Sequence, residues 1–219
     1  MTDPSDLQRQ LSNAQERLDV AIKALAPKHR GGEMEEYWSA HVDLLRLERE
    51  LAAAQNEEYA VPLEWDAGAP CPQLFVNDLR ALLAFCLRTH DPNRDGSYVN
   101  LRKPASETEE SLALVGFEHC MSARFGSPND EVFEGHPLDG KGLEAYSAQE
   151  VKNSRWIREL ESINSVHRMY KAEHWQDLNH YVFWFHDSTF ECVATSFSVE
   201  TYQESIPEML VRMSNRLLS

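Results

Sequence analysis

The chain predicts an α+β protein: a mainly antiparallel sheet with helices packed on one face, preceded by an N-terminal αα-hairpin. Three observations carry this. Apolar residues recur at helical spacing over roughly the first sixty positions, short β-branched and aromatic runs follow, and helix-start signatures stand at Ser147 and Ser205.

Taken in order, Leu7, Leu11, Leu18, Ile22 and Leu25 mark a helix over 5–26, and Met34, Trp38, His41, Leu44, Leu45 and Leu51 mark a second over 33–57. Pro27 to Gly32 breaks the pattern between them, so residues 1–58 read as a helical hairpin, a packing or homo-oligomerising arm. The Pro- and Gly-rich stretch from Tyr59 to Cys71 leads into an α+β domain over 59–219. Strands are expected at Leu74–Val76, Leu82–Leu87, Tyr98–Leu101 and Leu112–Met121, with helix an alternative for 78–88. Ser147 with Glu150, and Ser205 with Glu208, have capping-box spacing, which predicts helices over 147–164 and from 205 to Leu218.

The 219 residues carry 36 acidic and 21 basic side chains, a net charge of −15. Such a surface repels nucleic acid and anionic membrane, and suits either a basic protein partner or a soluble cytosolic protein. Cys71, Cys86, Cys120 and Cys192 form no CxxC pair and lie mostly in apolar stretches, the usage of a reducing compartment. The acidic start lacks an apolar signal segment, and the longest apolar run, Ala81 to Leu87, is far short of the ~20 residues that cross a bilayer. A cytoplasmic protein is expected.

The segment from His180 to Thr195 reads as a β-hairpin with two different faces. With a turn at Asp187-Ser188, Tyr181, Phe183, Phe185, Phe190, Cys192 and Ala194 form an aromatic core face, the natural seat for the helices. The other face gathers His180, His186, Thr189, Glu191 and Thr195 around Trp184, with Trp184 opposite Glu191 and His186 diagonal to it. A histidine beside a carboxylate is a common general-base arrangement, so His186 and Glu191 are candidate catalytic residues. The competing reading is a solvated sheet face.

Gly135-His-Pro-Leu-Asp-Gly-Lys-Gly142 approaches the phosphate-loop pattern but ends in Gly142 rather than Ser or Thr, and no buried strand precedes it. What survives is a glycine-rich loop before a helix, where Lys141 pairs with an anion and His136 and Asp139 add polar groups beside Asn129. Phe125, Val132, Phe133 and Leu138 are expected to anchor this 127–142 loop, whether its role is functional or purely structural. Asp91-Pro-Asn-Arg-Asp-Gly96 matches half of a calcium loop, but its twelfth position is Arg102, and Asp-Gly is itself a hairpin signal. His180 and His186, about 20 Å apart along a strand, do not share an ion, and no metal or cofactor is implied.

The segments Phe125-Gly-Ser-Pro-Asn-Asp-Glu131, Gly135-His-Pro-Leu138 with Gly140 and Gly142-Leu143, Asn153-Ser-Arg-Trp156 and Phe185-His-Asp-Ser-Thr-Phe-Glu191 together resemble a group of bacterial proteins without an assigned activity. The resemblance spans roughly residues 110–200 and leaves the N-terminal helices outside. It implies a real domain there, and neither activity nor cofactor.

The expectation is therefore a pocket between the 127–142 loop and the 180–195 hairpin that binds or transforms a small anionic molecule. His186, Glu191 and His136 are its candidate catalytic residues; Lys141, Asp139, Trp184, Asn129 and His180 are its candidate ligand contacts. The alternative is an acidic, non-enzymatic module of the immunity or regulatory kind that masks a basic partner.

Overall fold

A computed structural model describes residues 4–25, 36–44, 46–47, 56–58, 64–88 and 104–219. The expected strand at Tyr98–Leu101 and the Asp91–Gly96 turn lie outside the described residues. Helix α1 spans Pro4–Leu25, and a second helix, α2, covers 36–44 and 46–47. The two pack through Leu7, Ala14 and Leu18 against Ala40, Leu44 and Leu47, with Arg17 and Asp43 paired at 3.1 Å. Ile22 and Trp38, read as part of the apolar stripes, are exposed instead.

The strands are β1 (Asn56–Glu58), β2 (Gln73–Val76), β3 (Arg80–Cys86), β4 (Glu110–Glu118), β5 (Ser122–Gly126), β6 (Ala148–Val151), β7 (Asn179–Trp184), β8 (Thr189–Ala194) and β9 (Ser196–Glu204). Helices α3 (Arg155–Asn164), α4 (Glu173–Gln176) and α5 (Ile206–Leu218) complete the fold. Among the described residues all strand pairings are antiparallel, in a five-stranded sheet ordered β1-β6-β7-β8-β5 and a four-stranded sheet ordered β2-β3-β4-β9. The α+β class holds. Asn56–Glu58, expected at the end of the second helix, pair with β6 as an edge strand.

The two sheets lie face to face. Ala81, Leu83 and Phe85 of β3 and Ala113, Val115 and Phe117 of β4 meet Tyr181, Phe183, Phe185, Phe190, Cys192 and Ala194 of the hairpin in one core. The hairpin's aromatic face is assigned correctly by the sequence, but it seats a second sheet rather than helices. The alternate residues of β3 and β4, Leu82, Ala84, Cys86, Leu112 and Leu114, are buried on the other side under Ile206, Met209 and Met213 of α5. Double burial explains why β3 reads as a continuous apolar run, a pattern that also fits helix.

The capping box at α5 is present: Ser205 Oγ accepts from Glu208 N, and Ser205 N donates to Glu208 Oε2 at 2.9 Å. The one at Ser147 is not. Ser147 Oγ donates to Glu144 O at 2.6 Å, and the next residues form β6. Helix α3 starts later, capped by Ser154, whose Oγ accepts from Ile157 N at 3.3 Å.

Phe183 is 1 % exposed in the inter-sheet core and Val166 is 89 % exposed. Phe183→Ala is expected to lower unfolding free energy by about 3–5 kcal/mol, against less than about 0.5 for Val166→Ala. Urea denaturation checks this; similar losses would contradict the two-sheet core. Ser205→Ala is expected to cost about 1 kcal/mol through the lost cap.

Candidate functional site

The hairpin turns one residue earlier than its sequence suggests. Phe185 N donates to Ser188 O at 2.9 Å, and the register pairs Trp184 with Thr189, Val182 with Glu191 and His180 with Val193. The expected pairings of His186 with Thr189 and Trp184 with Glu191 are thereby corrected. Parity is kept, so the faces do not change. What changes is the diagonal: Glu191 is now flanked by His180 and Trp184, and His186 leaves the ladder for the turn.

His180 takes the place assigned to His186. Its Nε2 lies 2.9 Å from Glu191 Oε2, and its Nδ1 lies 2.9 Å from Ser154 Oγ at the N-cap of α3. Ser154 and His180 are 4 % and 5 % exposed, and Glu191 is part-buried, so these contacts are largely shielded by the surrounding protein. Burial raises the pKa of Glu191, but the hydrogen bond from His180 and the charges of His180, His136 and Arg124 outweigh it and hold the pKa below its ordinary value. An ionised Glu191 only accepts, which assigns a proton to His180 Nε2 and, in the neutral ring, leaves Nδ1 to accept from the Ser154 hydroxyl. That hydroxyl has one hydrogen, and the Ile157 amide donates to its oxygen, so the three roles are mutually consistent.

These residues border a cavity of about 340 Å³. Its wall includes His136, Pro137 and Leu138 from the loop, Val151 from β6, Ser154, Trp156 and Glu159 around the start of α3, and Arg124 from β5. Arg124 stands opposite Glu191 in the register and stacks over the Trp156 ring at 3.9 Å. His136 is held below its ordinary pKa by burial, partly opposed by Glu191 and Asp139. Its Nδ1 accepts from Leu138 N at 3.2 Å, so in the neutral ring Nε2 carries the proton.

His186 belongs to a second cluster. Its Nδ1 is 2.7 Å from Asp130 Oδ2, which also accepts from the Tyr146 hydroxyl, and Asp130 N donates to His186 O at 3.1 Å. Asp130 thus ties both ends of the 130–146 segment to the hairpin turn. The hydrogen bond to Asp130 raises the pKa of His186, while Asp130 is lowered first by Tyr146 and then by His186, against burial.

The remaining candidates scatter. Trp184 is fully buried, edge-on to Phe133 at 4.8 Å and to His136 at 5.1 Å, so it supports the loop from beneath. Asn129 precedes the short 3-10 turn Asp130–Gly135 and makes no side-chain cap there. Asp139 acts on His136 through its charge. Lys141 is not among the cavity-lining residues, whose cations are Arg124 and Arg155. Phe133 and Leu138 do anchor the loop, but Phe125 and Val132 are exposed. The loop leads into strand β6, not a helix, and Gln149 fixes its end by donating to Gly142 O at 2.5 Å and accepting from Glu144 N at 2.7 Å.

Sequence reasoning missed Ser154, Asp130, Tyr146, Arg124 and Trp156. Ser154 carried a signal, a serine just before the Trp156-Ile157 and Leu160 stripe, which the better-looking match at Ser147 and Glu150 obscured. No group of three or more metal-ligating side chains occurs among the described residues, and no described helix is long and apolar enough to cross a membrane. No protein-family model matches the chain, and no curated protein or solved structure matches it.

The Asp130–His186 pair makes a pH prediction. A raised His186 contributes stability fully below its ordinary 6.5, lost as pH rises through the raised value. A lowered Asp130 contributes above its ordinary 3.8, lost as pH falls through the lowered value. The pair therefore stabilises most between those two ordinary values. In an NMR titration His186 is expected to have a midpoint above 6.5 that returns toward it in Asp130→Asn, and His136 a midpoint below 6.5. A wild-type His186 midpoint at or below 6.5 would rule the pairing out.

Proposed function

We propose that the chain binds a small organic molecule in the cavity between His136, α3 and the β7–β8 hairpin, and acts on it by proton transfer through the His180–Glu191 pair. The observation that carries this reading is the pair itself: a hydrogen-bonded histidine and carboxylate, 6 % and 15 % exposed, bordering a cavity of about 340 Å³. That volume lies at the small end of the range for ligand sites, about 300–1,000 Å³. An apolar wall of Leu138, Val151 and Trp156 with Arg124 at the side suits a compact ligand that has an apolar body and an anionic or strongly polar end. His136, held toward its neutral form by burial, supplies a further donor in the cavity lining. The free cysteines among the described residues suit a reducing compartment such as the cytoplasm.

Binding is tested by NMR, following the Trp156 indole N–H while short-chain and aromatic carboxylates and phosphate monoesters are titrated in. At least one class is expected to shift that resonance saturably. Arg124→Ala is expected to weaken its binding about tenfold, the scale of one charge-assisted hydrogen bond. No saturable shift with any member, with the Trp156 resonance assigned and the protein folded, would remove the pocket reading. The acidic-module alternative rests on the net charge of −15; partner capture that weakens steeply with salt would support it.

A further inference from the structure

Resting on that reading, we propose that Ser154 is a nucleophile and that the cavity takes a small carboxylic ester, which the chain hydrolyses through an acyl-serine intermediate. Three placements converge on it. Ser154 Oγ is 2.9 Å from His180 Nδ1, His180 Nε2 is 2.9 Å from Glu191, and all three residues line the same cavity. The ring is turned the other way round from that of the serine proteases, where Nε2 meets the hydroxyl; either imidazole nitrogen accepts a proton when the other carries the ring hydrogen.

The backbone adds what an acyl transfer needs. Strand β6 ends at Val151, Asn153 adopts a left-handed φ of 52°, and the chain enters α3 directly after Ser154. This strand–turn–helix path sets the serine at the N-cap of a helix of 10 residues. The first-turn amides of a helix have no acceptor within it, and that of Trp156 is two residues from the nucleophile. The Ile157 amide already donates to Ser154 Oγ, so the Trp156 amide is the donor that, with the positive end of the dipole, meets a developing oxyanion. Leu138, Val151 and the Trp156 ring form the apolar wall for the acyl group.

The step balances without a cofactor. Ser154 Oγ attacks the ester carbonyl carbon while its proton passes to His180 Nδ1, and Glu191 stabilises the imidazolium through Nε2–H. The tetrahedral intermediate collapses with cleavage of the carbon–oxygen bond to the leaving alcohol, which takes the proton from Nδ1. Water then attacks the acyl-serine, giving one proton to His180, and the acid leaves as Ser154 regains its hydrogen.

The full chain is incubated with an alkyl fluorophosphonate and with p-nitrophenyl butyrate. Expected are one phosphonyl adduct per chain, located on Ser154 by peptide mapping, and ester turnover lost on the order of a thousandfold or more in His180→Asn. Ser154→Asn keeps a capping side chain and is expected to lose both adduct and turnover while retaining its helical circular dichroism. If carboxylates still shift the Trp156 resonance but no adduct forms on Ser154, the acyl-transfer inference is overturned and the pocket reading stands. If no member of the carboxylate and phosphate monoester panel shifts the resonance and no adduct forms, both are overturned. An adduct confined to another residue also overturns the inference.

Discussion

The inter-sheet aromatic core is the constraint on which the rest of the molecule depends. Phe183 lies between the sheets against Phe117 at 5.7 Å and Phe85 at 6.3 Å, and Phe117 also meets Phe190 and Tyr181. Side chains alternate along a strand, so burying Tyr181, Phe183 and Phe185 inward forces His180, Val182 and Trp184 outward. A slip of one residue would send the phenylalanines out and the histidine in, a change opposed by several kcal/mol for each large aromatic. The position of His180 and Glu191 on the outer face is thus a consequence of core packing by their chain neighbours Tyr181, Phe190 and Cys192.

The outer face is itself covered, which turns a sheet surface into a site. Trp184 and Val182 lie under Phe133, Leu138 and Leu143, and Val193 lies under Trp156, Trp175 and Leu178. Loop and helix therefore press on the hairpin from two sides, and the gap left between them is the cavity. A carboxylate in such a place is costly unless each of its interactions is met. Glu191 has His180 at hydrogen-bond distance and Arg124 directly across the ladder, while His180 passes the contact on to the cap of α3. The polar chain fixes where α3 begins relative to the sheet, because helix cap and imidazole share one hydroxyl.

The faces of the hairpin were legible in the sequence because they depend only on a period of two. The partners across those faces were not, because they depend on where the chain turns, and Asp187-Ser188 is only one residue from the observed centre. That single step moved Glu191 from the neighbourhood of His186 to that of His180. Helix α5 was legible because its capping box, Ser205 with Glu208, is both local and real. Only the start of the expected 147–164 helix was misplaced, for the same reason in reverse: Ser147 and Glu150 have the right spacing, but Ala148 to Val151 are claimed by β7 as ladder partners, and the helix runs over Arg155–Asn164. Ladder pairing over long sequence distance outweighed a local signal worth about 1 kcal/mol. Asp130 was invisible as a partner of His186 because 56 residues separate them and no spacing rule spans that gap.

His186, which looked like the catalytic base, does its work at a distance from the cavity. With Asp130 and Tyr146 it holds the start of the loop to the hairpin turn, while Gln149 holds the end to β6. Between these anchors Phe133 and Leu138 pack downward, and the Leu138 amide fixes the ring of His136 through Nδ1. His136 therefore arrives at the cavity wall in one orientation, set by contacts made on either side of it. The part-buried ion pair is the part of this support that pH changes, whereas the apolar contacts of Phe133 and Leu138 do not titrate. Loss of the pair leaves the bond from Asp130 N to His186 O, the bond from Thr189 Oγ1 to Pro128 O and the apolar floor in place. His186 is in this sense a positioning residue, and the two histidines the sequence grouped into one mechanism belong to successive shells of one support.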